Sequence, residues 1–255
     1  MVNSNSAVIL DRSVKSSNHD FMSDTNSSQQ RGSRELWLEA AYELLIAGGI
    51  DAVKVMTIAR HLKMSRTGFY WFFDDLTELH RALLSRWKSR NTSVLIARCE
   101  CEAFTINEAL FTLMECWLHP ALFDAQLDLA VRNWARVNPE LQEEVEHADA
   151  TRMRAVEKLF ERFGYDHDQA EVRAMTVIYT QIGYISMMVH EEMPQRIQRV
   201  QHYVEVFSGI VPKPHETEYF EKRIAGMHRQ TASEKSVAHN LCRETIQPQL
   251  ARKVS

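Results

Sequence analysis

The stretch from Ile58 to Phe73, IARHLKMSRTGFYWFF, constrains the fold most, because it divides into two short helices with opposite duties. In the first, Ile58, Ala59 and Leu62 recur on one face at helical spacing, while Arg60, His61 and Lys63 lie elsewhere on the turn. Ser65 stands where a cap for the second helix is expected. In that second helix Phe69 and Phe73 point inward, leaving Arg66 with Tyr70 and Thr67 with Trp71 as outward i,i+4 pairs. A helix with an apolar back and a front of Arg, Thr, Tyr and Trp is chemically suited to a DNA major groove.

Upstream, Leu36, Ala40, Leu44 and Trp37, Ala41, Leu45 follow i,i+4 spacing, which predicts an amphipathic helix over Ser33 to Ala47 with a narrow alanine seam. Gly48-Gly49 ends it, because glycine adopts positive φ at little steric cost. A short link from Ile50 to Val55 then feeds the helix pair, and the three helices together make a helix-turn-helix domain. Downstream, Leu79, Leu83 and Trp87 predict one long helix from Thr77 to about Glu102, joining the reader to the body. Further helices are predicted over Ile106 to Leu118, Asp124 to Val137, Pro139 to Phe163, Asp166 to Met193 and Pro194 to Phe207. They are punctuated by His119-Pro120, Asn138-Pro139, Gly164 and Pro194. With only eight glycines and no strand-like alternation of useful length, the expected class is all-α.

The reader resembles the TetR family of bacterial transcriptional repressors from about Ser33 to Leu84. The alanine-rich first helix, Gly49, the Ile58-Ala59 pair, Ser65, Phe69-Tyr70 and Phe73 carry that resemblance. It implies that the remainder, to about Gly209, is a helical ligand-binding and dimerisation domain. Four positions depart from the family pattern. Lys54 replaces the usual Ser or Thr cap of the second helix, and Lys63 replaces the turn glycine. Phe72 occupies a position that is often polar, and Leu76, preceded by Asp74-Asp75, stands where a cation commonly meets a phosphate.

A chain of 255 residues with 45% hydrophobic content can bury a sizeable core. The formal charge of −4 does not announce a nucleic-acid binder, but the charge is asymmetric. Arg31, Arg34, Lys54, Arg60, Lys63 and Arg66 gather near the reader, whereas Glu140 to Glu146 and Glu191-Glu192 lie far along the chain. Cys99, Cys101, Cys116 and Cys242 lack zinc-finger spacing and read as idle thiols of a reducing cytoplasm, with redox sensing as the alternative. No signal peptide or membrane span is recognisable, so a cytoplasmic protein is expected. The polar residues 1–30 predict a flexible arm, and 31–76 the helix-turn-helix domain. Residues 77–212 predict the effector-binding and dimerisation domain. Residues 213–255 predict a largely flexible extension with a short helix over Glu218 to Met227.

The expected partners are double-stranded DNA, a small-molecule effector and a second copy of the chain, with no membrane, cofactor or metal. Arg66 is the candidate for a guanine contact or a phosphate clamp, and Thr67 and Trp71 for bases or a thymine methyl. Tyr70 and Lys54 are candidates for phosphates, and Ser65 is either a contact or simply a cap. Arg34, with Arg31, ends an arm that reaches a minor groove or merely carries solvated charge. The helix holding Met175, Ile182, Gly183 and Ser186 is apolar around much of its circumference, and the next offers Val200, Val204 and Phe207. This pair is assigned to a homodimer interface, as the resemblance also implies. Effector candidates are Trp117, Trp134, Tyr179, Tyr184 and Met187, each also suited to a packed core. Arg132 is another, unless Asp128 at i−4 satisfies it. No nucleophile–base pair or phosphate-binding glycine loop supports an enzyme. The rival is an all-helical interaction module whose reader no longer binds DNA.

Overall fold

The computed structural model describes residues 32–229, and among them every regular element is helical. The expected arm, with Arg31, and the residues beyond 229, with Cys242, lie outside the described residues. Helix α1 (Arg34–Gly48) starts where the Ser33 hydroxyl accepts the Leu36 amide at 3.1 Å, and it stops at Gly49, whose φ of 69° suits glycine. A single 3₁₀ turn, Ile50–Ala52, leads into α2 (Val55–Leu62) and the four-residue α3 (Arg66–Phe69). Helix α4 (Leu76–Trp87) begins with a reciprocal cap. Asp75 Oδ1 accepts the Glu78 amide at 2.7 Å, and Glu78 Oε2 accepts the Asp74 amide at 2.8 Å.

The strut expected as one uninterrupted α-helix carries an insertion. Between α4 and α5 (Val94–Glu100), residues Lys88–Ser93 widen into a π turn, which rotates Asn91 and Thr92 into the interior. There Asn91 exchanges two hydrogen bonds with the Asp124 backbone, at 3.0 and 2.9 Å. The body continues with α6 (Ile106–Leu118), α7 (Ala125–Ala135) and α8 (Pro139–Arg162), capped by Thr105, Asp124 and Asn138. Helix α9 (His167–Ser186) follows, and α10 (Met193–Ser208) after it. Helix α9 ends seven residues earlier than its apolar pattern predicts, and Met188 turns the chain with φ 49°. Residues 214–229 form a further helix, α11, longer than the one expected over Glu218 to Met227. Phe220 and Ile224 bury its inner side, with Phe220 stacked on Phe111 at 4.8 Å between centroids.

Two apolar clusters hold these elements. One fills the body, drawing on α5, α6, α8, α9, α10 and α11. The other begins beneath the reader with Trp37, Phe69 and Phe73 and continues past residue 76. It runs through Leu79, Leu83 and Trp87 of α4 to Leu127, Val131 and Trp134 of α7 and Leu141 of α8. Among the described residues no helix is long and apolar enough to cross a membrane. Cys99 and Cys116 are buried free thiols, and burial pushes both upward in pKa, Cys116 to about 12.

Candidate nucleic-acid interface

The reader is built on a turn that its sequence makes expensive. Lys63 adopts a left-handed conformation (φ 55°, ψ 37°), and its amide bonds Arg60 O at 3.1 Å while the Met64 amide bonds Ala59 O at 2.9 Å. A side chain in this region costs roughly 1–2 kcal/mol, which glycine avoids. Lys63→Gly is therefore expected to raise stability by about 0.5–1 kcal/mol after the entropy of a freer unfolded chain is subtracted. An unchanged or lower melting temperature would contradict that account.

Behind the turn Phe69 and Phe73 stack at 5.3 Å, and Trp37 meets Phe69 edge-on at 5.7 Å, all three fully buried. In front, Arg66 donates from Nη2 to the Tyr70 hydroxyl at 2.9 Å, so these two side chains form one outward unit. Trp71 is 64% exposed beside them, and Thr67, Ser65 and Lys54 are exposed as well. Ser65 begins α3 with extended backbone, but its side chain makes no capping bond, and neither does Lys54 at the start of α2. The α-helical part of the reader stops at Phe69, and Tyr70 to Phe72 complete it as a turn closed by the Phe72 and Phe73 amides on Phe69 O. Arg34 is held at the base of α1, bonded to Glu78 at 3.3 Å with its cation 4.6 Å from the Phe73 ring centre. The Asp75 carboxylate is spent on the α4 cap, to which Asp74 contributes its backbone amide.

A polar hub ties the strut beneath this surface to the body. Asp128 accepts the Trp87 indole N–H at 2.8 Å, Asn91 at 3.3 Å, Arg132 at 2.7 Å and Arg152 at 3.2 Å. Burial alone would push its carboxyl up in pKa, but the Arg152 and Arg132 guanidiniums and the indole bond outweigh burial and hold it below the ordinary value. Arg152, itself buried, also donates to Thr92 at 3.0 Å. A second tie joins α1 to the body, where the Tyr42 hydroxyl donates to Asp124 at 2.7 Å. Burial, then that carboxylate, raises the Tyr42 pKa.

The other expected site residues are distributed differently from the sequence pattern. Val200, Val204 and Phe207 are buried in the chain's own core rather than presented outward, because α10 packs its apolar stripe on α6. Ile182 is half-buried against the same core, Met175 and Gly183 are half-buried, and Ser186 is exposed. The outward stripe of α9 is Val172, Thr176 and Tyr179, which lies near Val206 of α10 across a shallow groove. Arg132 is taken by Asp128 and, through two 2.7 Å bonds, by Asp149, so it faces no cavity as an unpaired cation. Trp117 is buried in the body, while Tyr179 and Met187 stand on the surface outside the large cavity. Trp134 and Tyr184 come together in lining a cleft of about 600 Å³ between α1 and the body. Its other contributors, Ile46, Ile50, Leu129 and Arg196 among them, were not expected from the sequence. They come from separate segments, and no local period marks them.

Two clusters bring possible metal ligands within 4.8 Å of one another: Glu108–His215–Glu216 and Glu157–Glu161–His167. In the first, Glu216 already accepts the Thr105 hydroxyl at 2.6 Å and the Lys213 amide at 2.7 Å. In the second, His167 is ion-paired at the surface with Glu157 at 3.0 Å and Glu161 at 3.5 Å. The first cluster thus serves the start of α11, and the second joins α8 to the start of α9 by side-chain ion pairs.

Residues 38–83 match the family described as bacterial regulatory proteins, tetR family. No curated protein matches the sequence. The fold is similar to that of a transcriptional regulator of the TerR/AcrR family from Aquifex aeolicus VF5, with TM-score 0.55 and 18% identity. That comparison covers 69% of this chain and 99% of the other. It is also similar to a transcriptional regulator from Rhodococcus sp. Rha1, with TM-score 0.51 and 19% identity over 71% and 96% of the two chains. At these identities the likeness establishes the architecture, a helix-turn-helix domain followed by a helical domain.

Proposed function

From the premise that this chain carries the helix-turn-helix domain of the tetR family of bacterial DNA-binding transcriptional regulators, we propose a homodimeric repressor that a small-molecule effector releases from an inverted-repeat operator. The observation that carries this reading is the two-sided reader. Phe69 and Phe73 anchor it from behind, and Arg66, Tyr70, Thr67 and Trp71 stand together in water on the other side. Arg66, oriented by the Tyr70 hydroxyl, is assigned to a guanine edge, Thr67 and Trp71 to bases, and Lys54 and Ser65 to flanking phosphates.

Reading a duplex at two half-sites about 34–36 Å apart requires two copies related by a two-fold axis. The apolar outward stripe of Val172, Tyr179 and Val206 supports a contact through α9 and α10, since such groups are poorly placed in water. The polar hub and the Tyr42–Asp124 bond tie the reader to the body, so a change in how the two sit together alters the spacing of the two readers. Coupling of about 1–3 kcal/mol suffices for a 5- to 150-fold loss of affinity.

The test is capture and sequencing of genomic fragments on the full-length protein, followed by titration of the recovered sequence at fixed salt. Two chains per duplex and an inverted repeat are expected, with affinity falling as salt rises at a slope near −0.9 per neutralised phosphate. Arg66→Ala is expected to weaken binding by about 5- to 150-fold and relax preference at one base pair per half-site. Unchanged affinity and preference in that variant would remove Arg66 from the interface. Absence of any salt-dependent retention would favour the interaction module instead.

A further inference from the structure

The cavities beside Trp117 measure only about 20 and 10 Å³, and a cleft of about 390 Å³ between α6 and α11 lies far from the reader. The cleft of about 600 Å³ between the reader and the body falls in the range of small-molecule sites, about 300–1,000 Å³. Its reader wall is Ile46 and Ile50, from the end of α1 and the 3₁₀ turn. Its body wall includes Leu129 and Trp134 of α7 and Ile185 near the end of α9.

The charge in this apolar lining is sparse and polarised. Arg196 of α10 holds its guanidinium 4.6 Å from the Tyr184 ring centre, and among the described residues it makes no ion pair. Glu191, which accepts the Tyr184 hydroxyl at 2.6 Å, is itself paired with Arg199. The acidic side chain of the lining, Asp51, belongs to the reader wall rather than to the wall that carries Arg196.

We propose that this cleft binds an amphipathic organic anion, its acidic head on Arg196 and its apolar body against Ile46, Ile50, Leu129 and Trp134, and that occupancy tilts the reader relative to the body. The inference rests on the effector-controlled reading above and supplies its site and ligand class. An apolar body is required because Ile46, Ile50, Leu129 and Trp134 face the cleft from both walls, with Gln126, Asn133 and His190 elsewhere in the lining, and covering those hydrocarbon groups releases water. A single anionic head is required because a guanidinium stacked on an aromatic ring retains outward N–H donors suited to a carboxylate. Tilt follows from position. The Ile46–Ile50 wall leads directly into α2 and α3, so a molecule wedged against α7 bears on the reader without first repacking the body core.

The test uses the full-length protein and three probes with the same chain, followed by calorimetry: dodecanoate and dodecyltrimethylammonium below their micellar concentrations, and dodecanol below its solubility limit. Dodecanoate is expected to bind about tenfold more tightly than the other two. Arg196→Gln is expected to erase that preference while leaving dodecanol binding intact. Ala130→Phe, which projects a ring into the cleft, is expected to weaken all three, with circular dichroism reporting whether the variant is folded. Equal binding of the three probes by the unmodified protein, or an undiminished dodecanoate preference in Arg196→Gln, overturns the site. Because Arg196→Gln changes a half-exposed side chain, it decides the matter even if the filled variant misfolds. A second readout is dodecanoate displacement of captured DNA. Selective binding in the cleft with DNA affinity unchanged overturns the tilt, whereas a protein that retains no DNA overturns the regulator reading while the probe series still decides the site.

Discussion

Phe69→Ala is expected to destabilise the protein by about 3–5 kcal/mol, the cost of deleting a fully buried ring and leaving a cavity. The ring is shared, since Phe73 stacks on one side and Trp37 meets it edge-on. Those aromatic contacts, about 0.5–1.5 kcal/mol per pair beyond simple burial, are lost with it. Because the cluster around Phe69 runs on through Leu83 to Leu127, the loss is felt by the whole fold. The melting temperature is expected to fall by roughly 6–20 °C, and the proposed DNA binding to disappear with it. Trp71→Ala serves as the contrast: its ring is largely exposed, so DNA affinity should drop with the melting temperature nearly unchanged. If Phe69→Ala melts like the parent, the back of the reader is not the anchor described.

Asp128→Ala is expected to cost about 3–5 kcal/mol for a different reason, because it leaves Arg152 charged and buried with much of its compensation removed. Arg132 retains two 2.7 Å bonds to Asp149, whereas Arg152 keeps a longer 3.3 Å bond to that carboxylate and its bond to Thr92, so the larger part of the penalty falls on Arg152 and on the Trp87 indole. Arg152→Met in the same background should recover part of the loss, and a double variant no more stable than Asp128→Ala alone would refute this division. The hub also sets a pH limit. Asp128 is a stronger acid folded than unfolded, so its stabilisation is fully present above the ordinary carboxylate value near 3.9 and is lost as pH falls through its lowered folded value. Chemical denaturation at pH 7 and at successive steps below pH 4 should therefore show a stability loss that is smaller in Asp128→Ala than in the parent.

The reader was legible from the sequence because its information is local. Phe69 and Phe73 four apart, Arg66 and Tyr70 four apart, and a glycine pair after an alanine seam each specify a face or a stop within one or two turns. The helix starts at Asp124 and Asn138 were legible for the same reason, each side chain accepting the amide three residues ahead, whereas Ser65, expected to cap α3, makes no such bond. The orientation of α9 and α10 was not, since a helix apolar on several sides does not reveal which stripe meets its own core. Val204 and Val206 are chemically identical, yet one is fully buried and the other 68% exposed. The π turn escaped notice because what draws Asn91 and Thr92 inward, the Asp124 backbone and Arg152, lies 33 and 60 residues away. Arg132 was half legible, with Asp128 one turn before it on α7 and Asp149 on a separate helix. The cleft was invisible altogether, being a property of how α1 leans on α7.

The apolar mass that begins under Phe69 and reaches Ala148 on α8 has no seam at residue 76. Cutting the chain there would bare Trp37, Phe73 and Leu79 partners on both fragments, so the head of this molecule is not an interchangeable cartridge. On the proposed function, a change of target sequence falls to the few side chains that already stand in water, and grafting a foreign head would demand a matching floor on α7 and α8.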